Sequence, residues 1–205
     1  MVSDKFILAV LVSGRGSNLQ AIIDSIEIRS LPVEIGLVIS DVKNSFALER
    51  ARKHNIDELF LDPKVFPDRK SYDQALVEQI QAKSVNLVCL AGFMKILGKH
   101  FINTFSDRII NIHPSLLPAF PGLNVQKRAL EHGARFSGCT VHYVNEEVDG
   151  GPIILQSVVP IYDNDSEALL SERILEQEHI IYPEAIRLIA ENRLTISGRR
   201  VLHNK

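Results

Sequence analysis

Short apolar runs alternate with amphipathic segments over the first half of the chain. Residues 6–12 form an uninterrupted aliphatic and aromatic run, which is typical of a strand buried on both faces of a parallel sheet. A glycine turn follows, and apolar residues at 19, 22, 23 and 26 then repeat with the spacing of one helix face. The pattern predicts a strand, a glycine turn and a helix in direct succession.

The same alternation continues to residue 112. It predicts further strands at 35–39, 58–61, 86–91 and 108–112, with helices at 45–55 and 71–83. Two segments, SNLQ at 17–20 and SYDQ at 71–74, have the capping-box form that begins a helix. Strands that alternate with helices indicate right-handed crossovers and a parallel sheet with helices on both faces.

The pattern changes after residue 137. Two longer runs, 140–144 and 153–160, flank an acidic, glycine-rich segment and predict an antiparallel hairpin. We expect Asp165 to cap a long helix that ends near residue 192 and is kinked at Pro183, with residues 194–205 as a short strand or tail. The prediction is one α/β domain over 1–205: a doubly wound, mostly parallel sheet flanked by helices, with antiparallel strands toward the C-terminal half.

Composition narrows the class of partner. The 205 residues include 23 Lys and Arg against 25 Asp and Glu, a formal charge of −2, which provides no general field to attract nucleic acid or an anionic membrane. The cysteines, Cys89 and Cys139, lie in apolar stretches without metal-finger spacing. The apolar run at 6–12 is too short to cross a bilayer and lacks a signal-peptide cleavage site. We expect a cytoplasmic protein that acts on small molecules.

The first candidate site is the turn SGRGSN at 13–18. Its glycines let backbone N–H groups approach an anion, and a helix start adds about half a positive charge. Leu19 replaces the third glycine of a dinucleotide fingerprint and no P-loop lysine is present, which favours a phosphate monoester. The candidate phosphate ligands are Gly14, Gly16, Ser17 and Asn18. A tight turn that needs glycine for its own geometry is the alternative interpretation.

The second candidate site begins at the end of the fifth predicted strand. Asn111 and His113 are two residues apart, so both side chains point to one side of the strand, and they enter a proline-rich loop. There they can donate hydrogen bonds to an oxygen that gains negative charge; a purely structural histidine is the alternative. If Asp149 reaches His113, we expect it to raise the pKa of the imidazole and keep the ring protonated near neutrality as a general acid. His142 can face this site or the core.

Four segments together resemble the folate-dependent phosphoribosylglycinamide formyltransferase family. They are SGRGSNLQAII at 13–23, LAGFMKIL at 90–97, NIHPSLLPAFPGL at 111–123 and DGGPIILQ at 149–156. The proline-rich loop alone is shared with formyltetrahydrofolate hydrolase and methionyl-tRNA formyltransferase. The glycine turn and the lack of a regulatory or RNA-binding domain favour the first family.

The resemblance implies transfer of a formyl group from 10-formyltetrahydrofolate to the primary amine of glycinamide ribonucleotide in purine biosynthesis, by a metal-free monomer or homodimer. It implies Asn111, His113 and Asp149 as catalytic residues, and Gly16, Ser17, Asn18 and Glu178 as ligands of the ribonucleotide. It assigns the folate to Arg69, Met94, Lys95, Ile96, Leu97 and Asn111. Lys95 stands where Arg is common, and Leu175 replaces a Gln that reaches the ribonucleotide in some members.

Two other functions stay open at this point. A hydrolase that uses water in place of the amine needs the same three polar residues, although it has no second substrate for the glycine turn to hold. A nucleotide-sensing module without catalysis can use the turn for phosphate and Asp41, at the end of the second predicted strand, for a ribose hydroxyl.

Overall fold

The computed structural model describes residues 5–204 and contains a mixed sheet flanked by helices. The strands are β1 (Phe6–Val12), β2 (Val33–Ser40), β3 (Glu58–Phe60), β4 (Leu87–Leu90), β5 (Ile109–His113), β6 (Phe136–Tyr143), β7 (Ile153–Pro160), β8 (Leu194–Ser197) and β9 (Arg200–His203). The helices are α1 (Ser17–Glu27), α2 (Phe46–Lys53), α3 (Arg69–Gln81), α4 (Lys99–Thr104), α5 (Val125–Glu131) and α6 (Glu167–Ala190), and Pro63–Val65 forms a 3-10 turn.

The strand order confirms the predicted fold class. Within residues 5–204 the sheet runs β3-β2-β1-β4-β5-β6-β7-β9-β8, so the chain winds outward from β1 in one direction and from β4 in the other. The pairs β1–β2, β1–β4 and β2–β3 are parallel, and β6–β7 and β8–β9 are antiparallel. The chain divides into two compact units between Ile110 and Asn111, and a single domain over 1–205 stays a prediction.

The first unit has its core along β1. The side chains from Leu8 to Val12 are completely buried, as the unbroken apolar run predicts for a strand covered on both faces. Strand β4 is buried at all four positions. The carboxyl ends of both strands lead directly into glycine-containing turns, at 13–16 and at Gly92, which is where α/β proteins bind ligands.

The second unit is built on the hairpin of β6 and β7 and on helix α6. Strand β6 is buried at every position except Phe136, and Ile174, Tyr182 and Ile186 of α6 are completely buried. Pro183 lies inside α6 without ending it. The tail is more regular than predicted, because β8 and β9 form a second antiparallel hairpin up to His203; Lys205 lies outside the described residues.

The predicted capping box at Ser17 is wrong. Gly16 is the residue before the helix and has a left-handed backbone with φ 68°, and Ser17 is already helical. The Gln20 side chain, which the capping box would turn back toward Ser17, binds Asp24 (2.8 Å) and Arg50 (2.8 Å) instead. A tertiary contact with α2 therefore replaces the local cap.

The other two predicted caps are each displaced along the chain. Asp68 caps α3, because its carboxylate accepts hydrogen bonds from both the N–H and the hydroxyl of Ser71 at 2.8 Å. Ser166 caps α6 and accepts from Leu169 N–H at 3.2 Å. The Asp165 carboxylate is occupied by the Arg173 guanidinium at 2.7 and 2.8 Å, so a strong ionic partner replaces the capping role.

The short helices α4 and α5 were not predicted, because with only 6 and 7 residues they are too brief for a helical repeat to stand out. None of the described helices is both long and apolar enough to span a membrane.

Gly16→Ala is expected to lower the free energy of unfolding by about 1–3 kcal/mol. A side chain at a left-handed position is strained, and the new methyl group would lie 2.6 Å from Ala47 Cβ. Gly14→Ala is the matched control, since a methyl group there meets nothing within 4 Å and should change stability by less than about 0.5 kcal/mol. Urea unfolding of both variants checks this, and equal effects would contradict it.

Candidate active site

Strand β5 and the loop after it provide the first two polar side chains of the site. Asn111 is half-buried on β5, and His113, the last residue of the strand, is 5% exposed. Proline at 114 removes the N–H that a further strand residue would need, and the chain continues irregularly to α5 at Val125. This confirms the predicted loop at the carboxyl end of the strand.

Buried hydrogen bonds hold this loop against β6 and β7. The Thr140 hydroxyl donates to the Ser115 carbonyl (2.7 Å) and accepts from Leu117 N–H (3.1 Å) and the Gln156 amide (3.0 Å). The Ser115 hydroxyl donates to the Ala119 carbonyl at 2.6 Å. Each buried polar group left unpaired would cost about 1–3 kcal/mol, so the loop has one strongly favoured conformation.

The two nitrogens of His113 have different neighbours. Nε2 lies 3.0 Å from the Phe120 carbonyl oxygen, and because a carbonyl only accepts, Nε2 must carry a hydrogen. Nδ1 lies 3.4 Å from the Asp149 carboxylate. The neutral ring therefore has its lone pair on Nδ1, and Nδ1 is the nitrogen that can take up a proton.

Asp149 is fixed by its backbone and by a hydrogen bond. It lies in the turn between β6 and β7 with φ 53°, a conformation that Asp tolerates better than most residues. Its Oδ2 accepts from Gly122 N–H at 2.8 Å. Burial alone would raise the pKa of Asp149, but His142, the Gly122 N–H and His113 outweigh burial and hold that pKa below its usual range. Asp149 is a carboxylate at neutral pH.

The pKa of His113 is shifted in the direction opposite to the expectation from sequence. Burial lowers the pKa of His113 below its ordinary value, although the Phe120 carbonyl and Asp149 both act to raise it. The expectation that Asp149 keeps this ring protonated near neutrality is therefore wrong. Desolvation destabilises the imidazolium by more than its attraction to the Asp149 carboxylate stabilises it.

His142 faces this site rather than the apolar core alone, which answers the question left open by the sequence. It is 1% exposed, its Nε2 lies 3.3 Å from Asn111 Nδ2 and 3.7 Å from Asp149 Oδ1, and its Nδ1 lies 2.8 Å from the Tyr143 carbonyl. The structure thus brings Asn111, His113 and Asp149 together around His142. Period-two alternation with Thr140 was the signal available in the sequence.

The first unit carries the glycine turn. Asn18 is 7% exposed at the start of α1, and Ala47 N–H donates to the Gly14 carbonyl at 3.2 Å. Ser13 connects this turn to a second segment, because its N–H donates to the Gly92 carbonyl (3.1 Å) and its hydroxyl accepts from Met94 N–H (2.8 Å). This linking role of Ser13 was not predicted, because it depends on a contact between segments that are far apart in the sequence.

Residues 94–97 combine exposed apolar side chains with nearby cations. Met94 and Ile96 are 63% and 65% exposed, whereas Leu97 is buried. Lys95 Nζ lies 3.8 Å from the Asp41 carboxylate, so Asp41 has a cationic neighbour. Such a surface suits a ligand in which a flat ring system is attached to an acidic group.

Arg69 is connected to this segment by a buried carboxylate. Asp73 is 2% exposed, lies 3.9 Å from Arg69 Nε and accepts from Gly98 N–H at 2.8 Å. Burial raises the pKa of Asp73, although Gly98 N–H and Arg69 act to lower it. Asp73, which was not among the predicted site residues, joins the first turn of α3 to the end of the 94–97 segment.

Glu178 lies on α6 in the second unit and is 7% exposed. Burial, assisted by Glu178, raises the pKa of the Cys139 thiol on β6 to about 12, so this thiol is not a nucleophile at neutral pH. No group of His, Cys, Asp and Glu within residues 5–204 is arranged to hold a metal ion.

The sequence of the chain is similar to proteins of known function. A family model described as formyl transferase matches residues 7–186. Phosphoribosylglycinamide formyltransferase of Escherichia coli K12 is 44% identical over 187 residues, which are 91% of this chain and 88% of that protein. The trifunctional purine biosynthetic protein adenosine-3 of Drosophila pseudoobscura pseudoobscura is 50% identical over 189 residues, but the chain spans only 14% of its length.

Solved structures give the same result. Glycinamide ribonucleotide transformylase 1 from Symbiobacterium toebii superposes with a TM-score of 0.97 at 51% identity, over 98% of this chain and 95% of that one. A formyltetrahydrofolate deformylase from Pseudomonas syringae superposes with a TM-score of 0.91 at 25% identity, over 99% of this chain and 67% of that one. The deformylase is the more distant neighbour.

The pKa of His113 is expected to lie below its ordinary value of about 6.5 in an NMR titration of its ring nitrogens. Asp149→Asn should lower it further, because the substitution removes an anion that favours the imidazolium. A folded pKa below the unfolded one means that this residue's contribution to the free energy of unfolding is complete above about pH 6.5 and is lost as the pH falls toward the folded pKa. A midpoint above 6.5 would contradict the dominance of burial.

Proposed function

This chain belongs to the formyl transferase family, and we propose on that basis that it transfers the formyl group of 10-formyltetrahydrofolate to the primary amine of glycinamide ribonucleotide. The observation that carries the proposal is the pair of buried His113 and partly buried Asp149, which lie 3.4 Å apart. The Asn111 amide contacts His142, which also neighbours Asp149. The identity to a named phosphoribosylglycinamide formyltransferase over 88% of its length supports this choice of substrates.

The reaction needs one proton to be moved and one negative charge to be stabilised. As the amine attacks the formyl carbon it loses a proton, and the folate nitrogen that leaves gains one. Neutral His113 takes up the proton at Nδ1, where the Asp149 carboxylate stabilises the imidazolium, and returns it to the leaving nitrogen. The Asn111 N–H donates to the formyl oxygen while that oxygen carries charge. The proton lost by the amine reaches the leaving folate nitrogen, and the formyl group passes directly from folate to amine. No covalent enzyme intermediate is needed.

The residues proposed for the folate fit its chemistry. The exposed side chains of Met94 and Ile96 offer an apolar surface for a flat ring, and Arg69 and Lys95, each about half exposed, can bind the glutamate carboxylates. Leu97 is buried, so any contact that it makes with the folate would come from its backbone. Lys95 gives a point charge where an arginine would give a bidentate contact.

The ribonucleotide is assigned to Gly16, Ser17, Asn18 and Glu178. The backbone N–H groups at the start of α1 attract a phosphate together with the positive end of the helix dipole. Glu178 is proposed as an acceptor for hydroxyl or amine groups, and Leu175 cannot provide the polar contact that a glutamine would. A cytoplasmic location and a monomer or homodimer remain predictions.

A two-substrate assay tests the proposal against its main alternative. Loss of the formyl group from formyl-folate is followed with and without glycinamide ribonucleotide. We expect turnover that depends on the amine and yields the formylated ribonucleotide. Equal turnover without the amine would instead favour a formyltetrahydrofolate hydrolase, and tight dinucleotide binding without formyl transfer would favour a nucleotide-sensing module.

His113→Ala should lower kcat by about 100- to 10,000-fold, the range for losing a positioned acid or base, with KM for both substrates nearly unchanged. Steady-state kinetics on a variant whose unfolding midpoint matches the parent protein provides the measurement. Parent-like turnover would remove His113 from the mechanism.

Ser17→Asp should mainly raise KM for the ribonucleotide, because the new carboxylate repels a phosphate at the start of α1. The KM for formyl-folate is the internal control and should stay within about twofold. If the folate KM rises instead, the two binding assignments are exchanged.

A further inference from the structure

The tautomer of neutral His142 is fixed by its surroundings on β6. Its Nδ1 lies 2.8 Å from the Tyr143 carbonyl oxygen, and a carbonyl oxygen only accepts hydrogen bonds, so Nδ1 carries a hydrogen. At 1% exposure no bulk water competes for this bond. The neutral ring consequently has its lone pair on Nε2.

The lone pair on Nε2 selects one orientation of the Asn111 amide. Nε2 lies 3.3 Å from Asn111 Nδ2, and this contact is a hydrogen bond only when the amide nitrogen faces the ring. The reversed amide would place its oxygen, which only accepts, opposite a second lone pair. Neutral His142 thus excludes the reversed orientation of Asn111.

We propose that His142 is a positioning residue that holds the Asn111 carboxamide with its nitrogen toward the site. The expected effect on kcat rests on the proposed function, whereas the tautomer of His142 and the orientation of Asn111 do not. One N–H of Asn111 is used by His142, and the second N–H remains to donate to the formyl oxygen. A reversed amide would present its oxygen to the developing charge and oppose the reaction instead of assisting it.

The arrangement also separates the tasks of the two histidines. His113 has its hydrogen on Nε2 and its lone pair on Nδ1, whereas His142 has the opposite tautomer, because each ring is fixed by a different backbone carbonyl. His113 faces Asp149 with the nitrogen that exchanges a proton. His142 faces Asn111 with the nitrogen that accepts a hydrogen bond.

The first test needs no substrate. Ring-nitrogen NMR of the whole protein at pH 7 to 8 should show a directly bonded hydrogen on Nδ1 of His142 and none on Nε2. Asn111→Ala should shift the Nε2 resonance of His142, because the donor to that atom is removed. A hydrogen on Nε2 of His142, or a resonance unmoved by Asn111→Ala, would overturn the proposal whatever reaction the protein catalyses.

The second test is a double-mutant cycle on kcat. His142→Phe should lower kcat about 10- to 100-fold and leave KM for both substrates within about threefold, since the amide loses its fixed orientation. In an Asn111→Ala background, His142→Phe should have less than a twofold further effect. His142→Gln, whose side-chain oxygen can accept from Asn111, should recover part of the loss, and His203→Gln on exposed β9 is the control.

The effect of His142→Phe in the two backgrounds either supports or overturns the positioning role of His142. An undiminished effect of His142→Phe in the Asn111→Ala background would show that His142 acts on Asp149 or on the substrate directly, and would overturn the positioning role. Matching unfolding midpoints for the variants show that lost activity is not lost fold. Absence of formyl transfer by the parent protein would instead reject the proposed function, and the NMR result would still decide the orientation of Asn111.

Discussion

The site depends on the placement of one carboxylate that is largely shielded from solvent. Asp149 lies in a left-handed turn between two strands, and its oxygens face Gly122 N–H, His113 and His142. Burial disfavours the anion, and these three neighbours more than compensate. The Gly122 N–H, which donates to the Asp149 carboxylate, therefore joins the proline-rich loop to the β6–β7 hairpin.

Burial and charge act against each other at His113, and burial prevails. A ring that is neutral at rest suits a reaction in which a proton is released first and returned later. A permanently protonated ring could not accept the proton of the attacking amine. The Thr140 network contributes indirectly, because it fixes the loop whose Phe120 carbonyl determines which nitrogen of His113 is free.

Much of the fold could be predicted because unbroken apolar runs are strong local signals. Residues 6–12 and 153–160 were predicted with the bounds observed for β1 and β7. The capping residues of α1 and α6 could not be predicted, since they depend on distant partners: Ala47 lies against Gly16, and Arg173 occupies Asp165. The sequence identified Asn111, His113 and Asp149, but the pKa of His113 depends on a depth of burial that only the folded chain sets.

Asp73 has a consequence for redesign of the first unit. The carboxylate sits on α3 yet fixes the backbone at Gly98, and a Cβ at Gly98 would collide with it. A donor segment that replaced residues 94–98 in this chain would have to bring both a glycine at its end and an N–H aimed at this helix. Replacing residues 94–98 alone would leave the buried Asp73 carboxylate without its backbone partner. The segment and helix α3 can therefore be exchanged between relatives only together.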